Sequence, residues 1–187
     1  MIEFLIRRFV PDWQQVQRTD VRERYGTLAA AVGILSNIFL CIIKGLIGLF
    51  SGSIAVTADA VNNLSDAGSS VITLLAFKIA GKPADEEHPY GHARMEYISG
   101  MAVSFIIILL GLELMGSSFE KILHPEEVGV SALTYLVLIV SIAVKLWQGM
   151  FNRNLGKRIS SEALQATAAD SLNDVFSTGA VLLSTLV

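Results

Sequence analysis

Long apolar runs separated by short polar links set the pattern of this chain. A transmembrane helix needs about twenty mostly apolar residues. Five runs satisfy that: about Ala29 to Phe50, Ser53 to Ala80, Tyr97 to Ser118, Ala132 to Trp147 with an extension toward Met150, and Glu162 to Val187. The pattern predicts an all-α integral membrane protein, a helical bundle of five transmembrane helices. Lys44 in the first run is expected to snorkel or to face the bundle. Glu113 interrupts the third run, and Lys145 lies near the inner end of the fourth. The two could pair between helices. The last run has no polar flank, and five spans would leave the termini on opposite sides, so the chain is expected to be a truncated piece of a longer bundle.

Residues 1–26 read as a cytoplasmic lead-in and residues 27–187 as the transmembrane domain. The first ten residues place apolar side chains before Arg7 and Arg8, the reverse of a signal peptide, with no small-residue cleavage site after them. Pro11 to Gly26 mixes Arg18, Arg22 and Arg24 with Asp12, Asp20 and Glu23, as an interfacial helical lead-in would. Positive charge sets orientation. The lead-in holds five arginines, and the links on the same side hold Lys78, Lys82, Arg94, Arg153, Lys157 and Arg158, whereas the other two links hold only Lys121. The N-terminus is therefore expected in the cytoplasm.

Composition agrees with this class: 52% of residues are hydrophobic, 17% are charged and the mean hydropathy is +0.56. A net charge of −3 gives no reason to expect a nucleic-acid partner. Cys41 is the single cysteine, which excludes a disulfide framework and a thiolate metal cluster. The chain contains no Gly-x-x-x-x-Gly-Lys-Ser/Thr loop, so an ion gradient rather than ATP is the expected energy source.

The second and fifth runs carry polar patches, Asn62-Asn63-Leu64-Ser65-Asp66 and Asp170-Ser171-Leu172-Asn173-Asp174. In each, an oxygen-bearing side chain precedes an aspartate by four residues, which on a helix puts the pair on one face about 6 Å apart along the axis. A carboxylate within a bilayer is costly enough to mark a functional site by default. The two helices should run antiparallel, which sets Asp66 near the level of Asp170 and Asn62 near Asp174. Amide and carboxylate oxygens without histidine or cysteine suit Mg, Ca or Mn. Three carboxylates exceed the charge of one divalent ion, so metal and protons would compete for one site, the physical basis of antiport.

Helix caps and interhelical hydrogen bonds are the other reading of these aspartates, and interhelical bonding is a common role for a membrane Asn such as Asn62. Asn63, Ser65 and Asn173 read as supporting or packing groups. Asp59, one turn from Asn62, is either a cap or part of an outer mouth. A weak internal echo lays Ser53 on Ser161 and Asp66 on Asp174, as repeats that share a midplane site would. Gly48 and Gly52 form a Gly-x-x-x-Gly match.

A second cluster lies in the polar link after the second run. His88 and His92 are four apart and Asp85 is three before His88, so a folded turn there could hold a small ion; a solvated acidic loop is the alternative. His124, beside Pro125, Glu126 and Glu127, reads as an exposed loop histidine.

Three segments together resemble the cation diffusion facilitators. They are Gly52-Ser-Ile-Ala-Val-Thr-Ala-Asp-Ala-Val-Asn-Asn-Leu-Ser-Asp66, Pro83-Ala-Asp-Glu-Glu-His-Pro-Tyr-Gly-His-Ala-Arg-Met-Glu96 and Ser161-Glu-Ala-Leu-Gln-Ala-Thr-Ala-Ala-Asp-Ser-Leu-Asn-Asp174. The resemblance covers nearly all of the chain from Gly26 onward. It implies a six-helix membrane domain followed by a cytoplasmic metal-binding domain, acting as a homodimer in a plasma (inner) membrane and exporting divalent metal in exchange for protons. The chain departs from that plan by ending before a sixth membrane helix. Members similar to zinc exporters carry His or Asp at the position of Asn62 and His at that of Asp170. Asn and Asp here resemble the manganese-exporting branch.

The resemblance thus implies a transport site of Asn62, Asp66, Asp170 and Asp174 and an inner-loop metal site of Asp85, His88 and His92. It implies no enzymatic activity and no resident cofactor, the metal being cargo. Zn²⁺ or Fe²⁺ are the alternative cargoes. From other classes come a non-transporting membrane metal sensor and an intramembrane aspartic protease, whose usual Gly-x-Gly-Asp signature neither patch carries.

Overall fold

The computed structural model describes residues 2–51, 54–123 and 132–184. Gly52, Ser53 and the His124 link lie outside them. Among the described residues there is no strand, and the chain runs through α1 (Ile2–Phe9), α2 (Thr19–Ser51), α3 (Ile54–Ala80), α4 (Met95–Leu123), α5 (Ala132–Ile159) and α6 (Glu162–Ser184). Charges at several helix ends complement the helix dipole, with Asp20, Glu96 and Glu162 in first turns and Lys78, Lys157 and Arg158 in last turns. Between α5 and α6 the chain reverses at Ser160, which takes a positive φ of 50°. Ser161 then caps α6, its Oγ accepting the Leu164 N–H at 3.3 Å.

The five long helices close into a ring. Helix α2 packs along α3, α3 along α4, α4 against α6, α6 along α5 and α5 back against α2, while α3 and α6 also meet across the ring. Small residues permit the tight α2–α3 contact. A Cβ at Gly26 would collide with the Phe77 ring, and one at Gly48 with Thr57. Gly48 therefore serves packing within the chain. In a bilayer, where lipid tails are as apolar as Leu, close van der Waals fit of this kind does much of the holding.

At one end of the ring the lead-in is part of the core. Ile6, Val10, Val21 and Tyr25 are buried with Phe77, Phe151, Leu155, Ile159 and Leu164. Tyr25 donates its hydroxyl to the Trp13 carbonyl at 3.0 Å. Arg22 bonds the Ile159 carbonyl and pairs with Glu96 at 2.9 Å, and Arg158 pairs with Glu3. Helix α2 accordingly starts at Thr19 rather than near Ala29, and the expected division between residues 26 and 27 falls inside it. The charges that mark residues 18–24 as polar are partly spent on neighbouring helices, which fastens the segment to the bundle.

Three helical stretches are long and apolar enough to cross a membrane by length and composition: Thr19–Phe50, Met95–Glu113 and Ala132–Ile159. The chain is an integral membrane protein, and Phe105, Leu109 and Leu112 on α4 face outward as lipid-facing side chains do. Of the five expected spans, those built on α3 and α6 fall outside that set. Each gives up apolar positions to its patch and to Ser and Thr, and these are the two helices that meet across the ring.

Candidate metal centres

The antiparallel meeting of α3 and α6 brings the two patches together. One carboxylate oxygen each from Asp66, Asp170 and Asp174 lie within 4.8 Å of one another. The Asn62 side-chain NH2 donates to Asp174 Oδ1 at 3.4 Å, which sets its amide beside the same group of carboxylates. All four residues named as the transport site thus converge. Asp66 is buried, and the other three are partly buried.

Nearby hydroxyls are occupied by their own helices. Ser70 donates to the Asp66 carbonyl, Thr73 to Ser69, Thr167 to Ala163 and Ser171 to Thr167, all at 3.0–3.1 Å. Asn63 is turned back in the same way, donating to the Asp59 carbonyl at 2.7 Å. Ser65 and Asn173 are exposed. The convergent donors that remain among the described residues are carboxylate oxygens with the Asn62 amide beside them, a hard set fitted to small divalent cations.

A fifth residue joins them. Lys145, on α5 and only 3% exposed, holds its Nζ 2.5 Å from Asp66 Oδ2 and 2.5 Å from Asp174 Oδ2. The two aspartates that the internal echo superposes are the two that grip this ammonium. Lys145 is committed here rather than to Glu113, which is exposed on α4. A signal was available in the sequence, since a lysine inside an apolar run marks a functional position as a carboxylate does.

One turn from Asn62, Asp59 pairs with Lys44 at 2.8 Å; the lysine is 2% exposed and the aspartate 31%. Lys44 therefore faces the bundle, and Asp59 is an ion-pair partner at the rim of the site. On the other side of Lys145, Gln148 accepts a hydrogen bond from Ser36 at 2.9 Å. Further along, the buried Asn152 lines a cleft with Ser70, Thr73 and Thr167, and neither amide atom has a hydrogen-bond partner. Buried polar side chains thus continue from the carboxylates toward the end that holds the lead-in, packed without room for a water molecule.

The link between α3 and α4 folds as the turn that the spacing requires. Asp85 Oδ1 accepts the His88 backbone N–H at 2.7 Å and lies 3.2 Å from His88 Nδ1, while its Oδ2 lies 3.5 Å from His92 Nε2. The imidazole centroids are 4.4 Å apart. Gly91, at φ +76°, lets the chain turn so that its N–H reaches the His88 carbonyl at 2.9 Å. The His88 backbone N–H holds the Asp85 carboxyl below its ordinary range. One nitrogen or carboxylate oxygen from each of Asp85, His88 and His92 fits within 4.8 Å, and His92 Nδ1 is buried without a partner. Two imidazoles and a carboxylate suit a borderline transition-metal ion.

Residues 30–187 match the cation efflux transmembrane domain. The chain is 36% identical over 159 residues to the manganese efflux system protein MneS of Bacillus subtilis, covering 82% of this chain and 55% of that protein. It is 34% identical over 156 residues to an uncharacterized transporter of Methanocaldococcus jannaschii, covering 83% and 55%. To the magnetosome protein MamB of Magnetospirillum gryphiswaldense it is 30% identical over 151 residues, covering 81% and 51%. The chain spans about half the length of the curated relatives it matches. With the domain match running from residue 30 to residue 187 and both acidic patches meeting across one helical ring, the chain belongs to the cation efflux family, the cation diffusion facilitators.

Proposed function

We propose that the full-length protein exports divalent metal from the cytoplasm in exchange for protons, with Mn²⁺ the preferred cargo and Fe²⁺ or Zn²⁺ the alternatives. The observation that carries this reading is the convergence of Asp66, Asp170 and Asp174 from two helices, with the Asn62 amide beside them. Oxygen donors favour a hard ion over zinc, which gains more from imidazole and thiolate. Similarity to a manganese efflux system protein of Bacillus subtilis points to the same metal. Protons and metal compete for the same carboxylates, so a pH gradient can drive cargo out. Alternating access then needs α3 and α6 to open first to one side and then to the other.

In this reading the N-terminus is cytoplasmic, as the Lys and Arg distribution supports, and the protein sits as a homodimer in the plasma (inner) membrane. Gln148 and Asn152 mark the cytoplasmic side of the site, which has to open there to admit cargo. Asp85, His88 and His92 form a second divalent-metal site in a cytoplasmic loop. An aspartic protease would need two carboxylates facing each other over a shared proton. Here an ammonium lies between Asp66 and Asp174 instead. The test is uptake of Mn²⁺, Fe²⁺, Zn²⁺ and Co²⁺ into proteoliposomes of the full-length protein across a pH gradient. Mn²⁺ uptake should be greatest and should collapse with the gradient; uptake indifferent to pH would overturn the exchange mechanism.

A further inference from the structure

Lys145 Nζ bridges α3 and α6 through Asp66 Oδ2 and Asp174 Oδ2, 2.5 Å from each. A primary ammonium has three N–H donors and no acceptor, so it behaves as a compact cation. Divalent ions take carboxylate oxygens at about 2.0–2.6 Å. An ion that bridged these oxygens from the same side would overlap the ammonium and be repelled by it. The two arrangements exclude one another.

We propose that Lys145 is a tethered competitor for the cargo, its ammonium tying Asp66 to Asp174 until a divalent cation displaces it. The proposal rests on reading these carboxylates as the transport site. Two consequences follow from charge alone. With all three ionised, one buried and two partly buried carboxylates beside one ammonium carry two net negative charges rather than three, which lowers the cost of the site between loads. An ion with a single charge gains nothing over the ammonium already in place, whereas a divalent ion does, so the tether selects for charge. The lysine also raises the concentration of metal needed for loading, because cargo must first break two charge-assisted bonds.

The test uses the full-length protein in proteoliposomes, with Mn²⁺ as the probe. Lys145→Met and Lys145→Gln should each lower the KM for Mn²⁺ by about tenfold or more, roughly 1.4 kcal/mol of apparent affinity. Both should melt at a lower temperature than the parent without divalent ion and be stabilised more than the parent by added Mn²⁺. Lys145→Arg, which keeps the cation, should shift KM far less. An unchanged or raised KM in the Met and Gln variants would overturn the proposal. So would a Gln variant that cannot be purified folded even with Mn²⁺ present, since Lys145 would then be structural. Asp66→Ala and Asp174→Ala separate the two levels of the argument. If uptake survives both, the transport-site reading itself is wrong; if both abolish uptake while KM ignores Lys145, only the tether fails.

Discussion

The two candidate metal centres are similar in size and different in nearly every other respect. Each gathers three ligand atoms within 4.8 Å. The loop cluster draws them from eight consecutive residues, Asp85 to His92, and leaves Asp85 and His88 exposed. The buried cluster draws them from α3 and α6 and adds a lysine from α5. Exposed charges are solvated and need no exact partner, so a short turn suffices to assemble the loop. Buried charges are costly without compensation, so the membrane site needs an internal cation as well as precise helix packing. Donor chemistry divides the same way, with two imidazoles in the loop and none in the membrane. One protein thus gathers a candidate hard-oxygen site in its bundle and a candidate nitrogen-containing site in a loop.

The largest expected effect separates the centres by function. Asp66→Ala or Asp174→Ala in the full-length protein should reduce Mn²⁺ uptake into proteoliposomes to background. His88→Ala with His92→Ala should leave measurable uptake. Next in size is selectivity. Asn62→His with Asp170→His imports the loop's donor type into the membrane site and should move the Zn²⁺-to-Mn²⁺ uptake ratio toward zinc by about tenfold or more. An unchanged ratio would show that donor type does not set the preference.

A smaller effect is structural. Asp59→Ala leaves Lys44 buried without its partner and should cost about 1–3 kcal/mol, read as a lower melting temperature. The smallest is confined to the loop. Because the His88 N–H holds Asp85 below its ordinary range near 3.8, the contact stabilises the turn above that pH and is lost as pH falls through the lower, folded value. The Asp85 side-chain carboxyl resonance should therefore titrate with a midpoint below pH 3.8. A midpoint at or above pH 3.8 would mean the contact is not formed.

The same contrast explains what could be read from the sequence. The loop cluster was visible as spacing, because Asp85, His88 and His92 are close along the chain and one turn brings them together. Asn62, Asp66, Asp170 and Asp174 were visible because the i, i+4 rule and an antiparallel topology together fix which ends meet. Lys145 was not placed, because its partners lie 79 and 29 residues away and the contact depends on the rotation of α5 about its own axis. The start of α2 was missed for a related reason. Arg22 looks solvated in sequence but bonds Glu96 and the end of α5, and apolar length cannot register a helix turn held by such contacts. The spans built on α3 and α6 were read through their apolar flanks, whereas their patches are what lower their apolar character.

The central claim is that the cargo ion rests between α3 and α6. The most direct measurement is anomalous diffraction at the manganese edge from crystals of the full-length protein soaked in Mn²⁺. A peak within bonding distance of Asp66, Asp170 and Asp174, with the Lys145 ammonium moved away from the two oxygens it holds here, is the predicted result. A fully occupied peak at Asp85, His88 and His92 with none between the helices would contradict it.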